Sequence, residues 1–219
     1  ARRLRALCDH HAAGRIPGDM SKGMGWAQPF YLPYQGHCDR DLQMMFGDLA
    51  TRVMAARYGD AELASPPAPG EPVRVGIVSG FFCEHSVWKV GAKAWVTQLD
   101  PQRFQVFGYS IGFKKDGETE LARKHCHRFV EGPQSLERWR DIIAADRPHI
   151  LLYPEIGIFH QAAEIAALRL APVQCSSIGH PQTSGYPTID YFLSGELIEP
   201  TEGDAHYSEK LVRLPNIGF

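Results

Sequence analysis

The sequence predicts an α/β protein, a doubly wound parallel sheet preceded by a helical segment. Three observations carry this. Short apolar runs alternate with helix-length segments from residue 73 onward, the signature of right-handed βαβ crossovers and a parallel sheet. The runs are apolar enough for strands covered on both faces. Ahead of them, SPPAPGEP (65–72) packs four prolines and a glycine into eight residues. No helix continues through such a stretch, so it reads as a linker.

Taken in order, residues 1–14 have a helical pattern, with Leu4, Leu7, Cys8 and His11 at i, i+3, i+4 and i+7. A Gly/Pro-rich stretch (14–33) follows, with Trp26, Phe30, Tyr31 and the nearby Tyr34, aromatics expected to pack on the neighbouring domain. Residues 39–58 form a second helix, with Leu42, Met45, Phe46, Leu49, Val53 and Met54 on one side. Beyond the linker, strands are predicted at 73–79, 104–110, 148–154, 172–178 and 190–194, with Phe129 and Val130 starting a short extra one. Helices are predicted at 86–99, 118–127, 135–145 and 160–168. In the third of these, Ser135 is a candidate N-cap and Leu136, Trp139, Ile142 and Ile143 supply the apolar face. The chain divides into a helical connector with its linker (1–70) and an α/β lobe (71–219).

Composition narrows the function. The chain has 219 residues, 44% hydrophobic and 22% charged, which suits one large globular domain or one domain with a smaller appendage. A net charge of -2 gives no electrostatic case for nucleic acid or an anionic membrane. No apolar run approaches the roughly 20 residues of a membrane span. Five dispersed cysteines, with no Cys-x-x-Cys, argue against a disulfide framework or structural zinc and for a reducing, cytoplasmic setting. The chain opens on Ala, which points to processing or truncation at its start.

The first βα junction, SGFFCEHSVWK (79–89), lacks the glycines of a dinucleotide site, and no P-loop is present. It offers His85 near a helix start instead, where an imidazole can bond a sugar hydroxyl or phosphate, handle a proton, or simply order the helix. The fourth strand ends in Gly179-His180-Pro181, followed by Thr183, Ser184 and Gly185. Backbone amides and hydroxyls there can face an anion or a sugar, because ligands of open α/β sheets bind at strand carboxyl ends. The bland alternative is a structural turn. Glu155, after the third strand, is a base, a ligand for sugar hydroxyls, or a surface carboxylate. His125-Cys126-His127 does not make a metal site on a helix, since adjacent side chains point about 100° apart.

Five blocks, in order, carry a resemblance: VRVGIVSGFFCEHS (73–86), RFQVFGYS (103–110), ERWRDIIAADRPHILLYPEIG (137–157), LRLAPVQCSSIGHPQTSGYPTIDYFLSGELIEP (168–200) and HYSEKLVRLPN (206–216). Together they resemble the catalytic region of the O-linked N-acetylglucosamine transferase family, including its bacterial and SPINDLY-like members. PFYLPYQG and the helix ending AARYGD are similar to the connector that joins tetratricopeptide repeats to that region. The resemblance implies a two-lobed, Rossmann-like GT-B glycosyltransferase. Such an enzyme moves N-acetylglucosamine from UDP-N-acetylglucosamine to a Ser or Thr hydroxyl of a protein, with inversion, no metal and no cofactor.

On this resemblance the chain is the connector plus the first lobe, ending where the second, nucleotide-gripping lobe begins. A lone lobe exposes its cleft face, which opens the way to a homo-oligomer. The resemblance makes His85 the catalytic or sugar-contacting residue and Gly179, Pro181, Thr183 and Ser184 the loop that lines the sugar and acceptor site; His180 in that loop and Glu155, whose Glu-Ile-Gly replaces an Asn-Gly-Tyr type loop, are added as substrate-binding candidates from their places at strand ends. Phe81 replaces an Asp of the animal pattern, His180 stands for a Tyr, and Ala144 or a neighbour stands where a second cleft histidine is found. The loss of the Asp and of the second histidine gives the main alternative, a non-catalytic protein-binding or scaffolding module of the same fold, more weight than a faithful animal-like sequence would. A flavodoxin-like small-molecule enzyme would need a phosphate loop after the first strand, and SGFFCEHS is a poor one.

Overall fold

Among the described residues seven parallel strands form one sheet: β1 (Val73–Ser79), β2 (Phe104–Ser110), β3 (Arg128–Glu131), β4 (Ile150–Tyr153), β5 (Val173–Ser177), β6 (Tyr191–Gly195) and β7 (Lys210–Leu214), in the order β3-β2-β1-β4-β5-β6-β7. The computed structural model describes residues 1–16 and 18–218. Pro17, in the Gly/Pro-rich stretch, and Phe219, the expected boundary with a second lobe, lie outside them. The chain builds outward from β1 to β3, then returns to place β4 on the other side of β1, in register Val75 to Ile150. The switch point of the sheet therefore lies between β1 and β4.

Among the described residues six α-helices accompany the sheet: α1 (Arg2–Ala12), α2 (Arg40–Tyr58), α3 (Lys93–Gln98), α4 (Gly117–His125), α5 (Leu136–Asp146) and α6 (His160–Ala166). Both faces are covered, as the apolar strands require. On one face Val78, Tyr109, Leu151 and Tyr153 pack with Trp139 and Ile143 of α5 and Ile165 of α6. On the other, Val75, Ile77, Val106, Leu152 and Cys175 pack with Trp88, Val96 of α3 and Ala122 of α4. Ser135 caps α5 by accepting from the Arg138 N–H at 3.2 Å.

Several elements differ from expectation for clear reasons. The helix predicted at 86–99 runs over 86–98, but its Trp88–Ala92 segment is a π turn. Trp88 is fully buried there, and its indole N–H donates to Glu118 at 2.6 Å. Pro148, Pro154 and Pro172 fall outside their strands, since a proline has no N–H for the ladder. β7 is the strand that periodicity missed. It is an edge strand carrying Lys210 and Arg213, and edge charges break the apolar pattern.

β5 and β6 are joined by residues 178–190 with no helix between them. The connector's α2 covers this loop instead. Phe46, Leu49, Ala50, Val53 and Met54 of α2 share one core with Tyr186, Trp139 and Ile143. Gly47 and Gly185 let the two backbones touch: a Cβ on either would collide with main-chain atoms of the other segment. α1 buries no residue fully, though Leu4 and Cys8 lean on the core.

Candidate functional site

The carboxyl ends of β1, β4 and β5 carry three loops that hold every residue singled out from the sequence. The first two meet at the switch point. Glu155, just past β4, is fully buried and its Oε1 accepts from the Gly80 N–H, past β1, at 2.6 Å. Burial, opposed in part by that bond, pushes its carboxyl up to about 8. Glu155 is thus a neutral acid at pH 7. It reaches the cleft through the Gly80 amide it holds, since its own atoms are not exposed.

His85 is half-buried and stacks on Phe81, ring centroids 3.9 Å apart and 12° from parallel. Its Nδ1 accepts from the Val87 N–H at 3.2 Å, so the neutral ring carries its proton on Nε2. Burial, with the positive Lys114 nearby, holds its pKa below the usual imidazole value. His85 therefore helps order the helix start through Nδ1, which leaves its Nε2–H as a donor. Phe81 forms the stacking surface, with Phe159 edge-on at 6.0 Å. Beside this junction lies a cavity of about 100 Å³, lined by Ser86, Val87, Trp95, Pro154, Ser177 and Gly179.

The β5 loop is pinned from behind. His180 is buried (1% exposed) beneath Phe30 of the connector, ring centroids 5.0 Å apart, and Tyr34 approaches edge-on. Its Nδ1 lies 3.2 Å from the Gln182 amide nitrogen, and burial lowers its pKa, keeping it neutral. Pro181 is exposed. Thr183 and Ser184 are buried, and their hydroxyls donate to Glu209 at the start of β7 rather than into the cleft. A second groove of about 390 Å³ lies on the loop's connector side, between Pro33, Cys38 and Arg40 and residues Pro181, Gln182 and His206.

The seven predicted residues are thus brought to one edge, with His85, Gly179 and Pro181 at its surface and Glu155, His180, Thr183 and Ser184 beneath it. Of the connector aromatics, Phe30 covers His180, while Trp26, although stacked on His160 at 4.0 Å, is 73% exposed and Tyr31 74%. Glu209 was missed by residue-level reading. Its signal was faint: one carboxylate at the head of an apolar run, YSEKLVRL, with its partners 25 and 26 residues earlier. Among the described residues no three His, Cys, Asp or Glu side chains group as metal ligands, and no helix is long and apolar enough to cross a membrane.

Comparison with known proteins agrees with this architecture. The chain is 30% identical over 162 residues to the probable UDP-N-acetylglucosamine–peptide N-acetylglucosaminyltransferase SPINDLY of Arabidopsis thaliana, covering 68% of this chain and 17% of that protein. It is 28% identical over 180 residues to the Arabidopsis thaliana enzyme of the same description called SEC, covering 76% of this chain and 18% of that one. The chain thus spans under a fifth of the length of these relatives. In fold it matches an O-GlcNAc transferase mutant of Thermobaculum terrenum, with a TM-score of 0.72 and 24% identity, over 99% of this chain and 41% of that one. The model of glycosyl transferase family 41 matches residues 56–219, which takes in all seven strands and α3 to α6. A match over the whole sheet, on a fold of the same topology as a solved transferase, makes the chain a member of glycosyl transferase family 41.

Proposed function

We propose that the chain supplies the first lobe of an inverting, metal-independent transferase. It would carry N-acetylglucosamine from UDP-N-acetylglucosamine to Ser or Thr hydroxyls of proteins, with a second lobe closing the cleft over the nucleotide. The observation that carries this is the carboxyl edge at the β1–β4 switch point. There an imidazole N–H (His85), a neighbouring cavity and the Gly-His-Pro loop lie where open α/β sheets bind ligands. The names of the plant relatives supply the donor and the acceptor class.

In such a reaction the acceptor hydroxyl loses a proton and the diphosphate leaves with added charge. Fixed donors that match the developing charge lower the barrier. As a neutral donor, His85 fits contact with the sugar or the leaving group better than proton abstraction. The same reading places the protein in the cytoplasm, consistent with its five unpaired cysteines. It places tetratricopeptide repeats ahead of the connector, a bacterial branch as the source, proteins rather than nucleic acids as acceptors, and self-association at the open cleft.

Calorimetric titration of UDP and UDP-N-acetylglucosamine into the chain alone and into a two-lobed form tests this. Binding by the two-lobed form, weak or absent in the chain alone, is the expected result. Binding by neither removes the donor assignment. Binding without transfer to any protein hydroxyl gives the non-catalytic module instead.

A further inference from the structure

Resting on that reading, we propose that Glu209 is the positioning residue for the sugar-binding loop: its buried carboxylate fixes residues 179–185 in the conformation that meets the donor sugar. The side chain is 6% exposed and lies at the head of β7, far along the chain from the loop it holds. Its Oε1 accepts from the Ser184 N–H at 2.8 Å and from the Ser184 hydroxyl. Its Oε2 accepts from the Thr183 hydroxyl at 2.5 Å and lies 3.1 Å from the Ser208 hydroxyl. These four groups match the roughly four acceptor sites of an ionised carboxylate.

The two loop hydroxyls pass the constraint on. Thr183 Oγ1 accepts from the Ser208 N–H at 3.0 Å and the Gly185 N–H at 3.3 Å, and Ser184 Oγ accepts from the Tyr186 N–H at 3.2 Å. The amides of Ser184, Gly185, Tyr186 and Ser208 are therefore satisfied through two hydroxyls and one carboxylate, while those of Gly179 and Gln182 bond to the carbonyls of Pro154 and His180. Between β5 and β6 there is no helix to impose order, so this network and the packing of α2 set the loop. The hydroxyls that the family resemblance assigns to the substrate thus turn inward and hold the backbone of Ser184 to Tyr186, and through it the adjoining segment that ends in the exposed Pro181. A Gln at 209 places an NH2 among hydrogens already directed at it, and an Asp falls one methylene short.

The test is made in the two-lobed protein with E209Q, T183V and T183S. The expected result is a loss of at least tenfold in UDP-N-acetylglucosamine affinity in E209Q and T183V, with UDP affinity within twofold of wild type. T183S, which keeps the hydroxyl, should restore sugar affinity, and the E209Q/T183V pair should be clearly less than multiplicative because both act on one network. Amide hydrogen exchange over 183–186, read without ligand, should quicken at least tenfold in E209Q. Wild-type sugar affinity in a folded E209Q overturns the proposal. If E209Q does not fold, T183V against T183S decides it alone, and equal sugar affinity in the two overturns it. If wild type itself does not bind the sugar nucleotide, the donor reading fails. Unchanged exchange in E209Q then overturns the positioning role as well, whereas quickened exchange retains it for whatever ligand the edge takes.

Discussion

His85 and Glu155 sit on neighbouring loops, and their surroundings give them opposite tasks. The Val87 amide occupies Nδ1 of His85, so the side chain offers Nε2–H as a donor. In a two-lobed enzyme, His85→Ala should lower turnover at least tenfold, about 1.4 kcal/mol of transition-state stabilisation. His85→Gln, whose amide reaches about as far as Nε2 and still donates, should retain more activity than Ala, as steady-state rates will show. Equal loss in both would make His85 a base. Glu155 acts inside the fold. Its carboxyl is raised from the ordinary value of 4.5 to about 8, so between those limits the folded chain holds a proton that the unfolded chain has released. By linkage, stability falls as pH rises through that window, at up to about 1.4 kcal/mol per pH unit, and levels off above it. Glu155→Gln keeps an acceptor for the Gly80 N–H and removes the titration. Thermal melts at pH 5 and pH 8 should show a smaller drop in Tm for the variant than for wild type.

Among the elements, α2 and the 178–190 loop are the coupled pair. The loop is an α/β crossover without its own helix, and α2 takes the covering role because two glycines allow its backbone against the loop. Gly47→Ala should cost about 1–3 kcal/mol by overpacking, measured by urea unfolding, since only main chain lies in the way of the new Cβ. Gly91, in the π turn, has open space around it and no left-handed backbone. Gly91→Ala should be neutral or stabilising by about 0.5–1 kcal/mol. A destabilising Gly91→Ala would show that the π turn itself depends on glycine.

For the molecule as a whole, the connector and the sheet share one core across the proline-rich stretch. Removing residues 1–58 uncovers the surface that Phe46, Leu49, Val53 and Met54 bury. At about 1.5 kcal/mol each, the low end for such side chains, the loss is about 6 kcal/mol. Net stability of a domain is itself only about 5–15 kcal/mol. Residues 59–219 alone should therefore lose a cooperative melt by circular dichroism. A truncated form melting within a few degrees of the intact chain would make α2 an accessory helix.

The α/β class, both covered faces and six of seven strands were legible in the sequence, because apolar runs and their spacing are local properties. VRVGIVS and FQVFGYS match β1 and β2 residue for residue. That the candidate residues share one edge was legible too, since strand carboxyl ends follow from chain direction. What tertiary structure alone decided was which way each site residue faces. Nothing in GHPQTSG says that its hydroxyls turn inward to a carboxylate 25 and 26 residues later, that its histidine lies under Phe30, or that burial raises the Glu155 carboxyl. Burial and hydrogen-bond partners depend on segments far apart in the chain, and those meet only when the sheet is assembled.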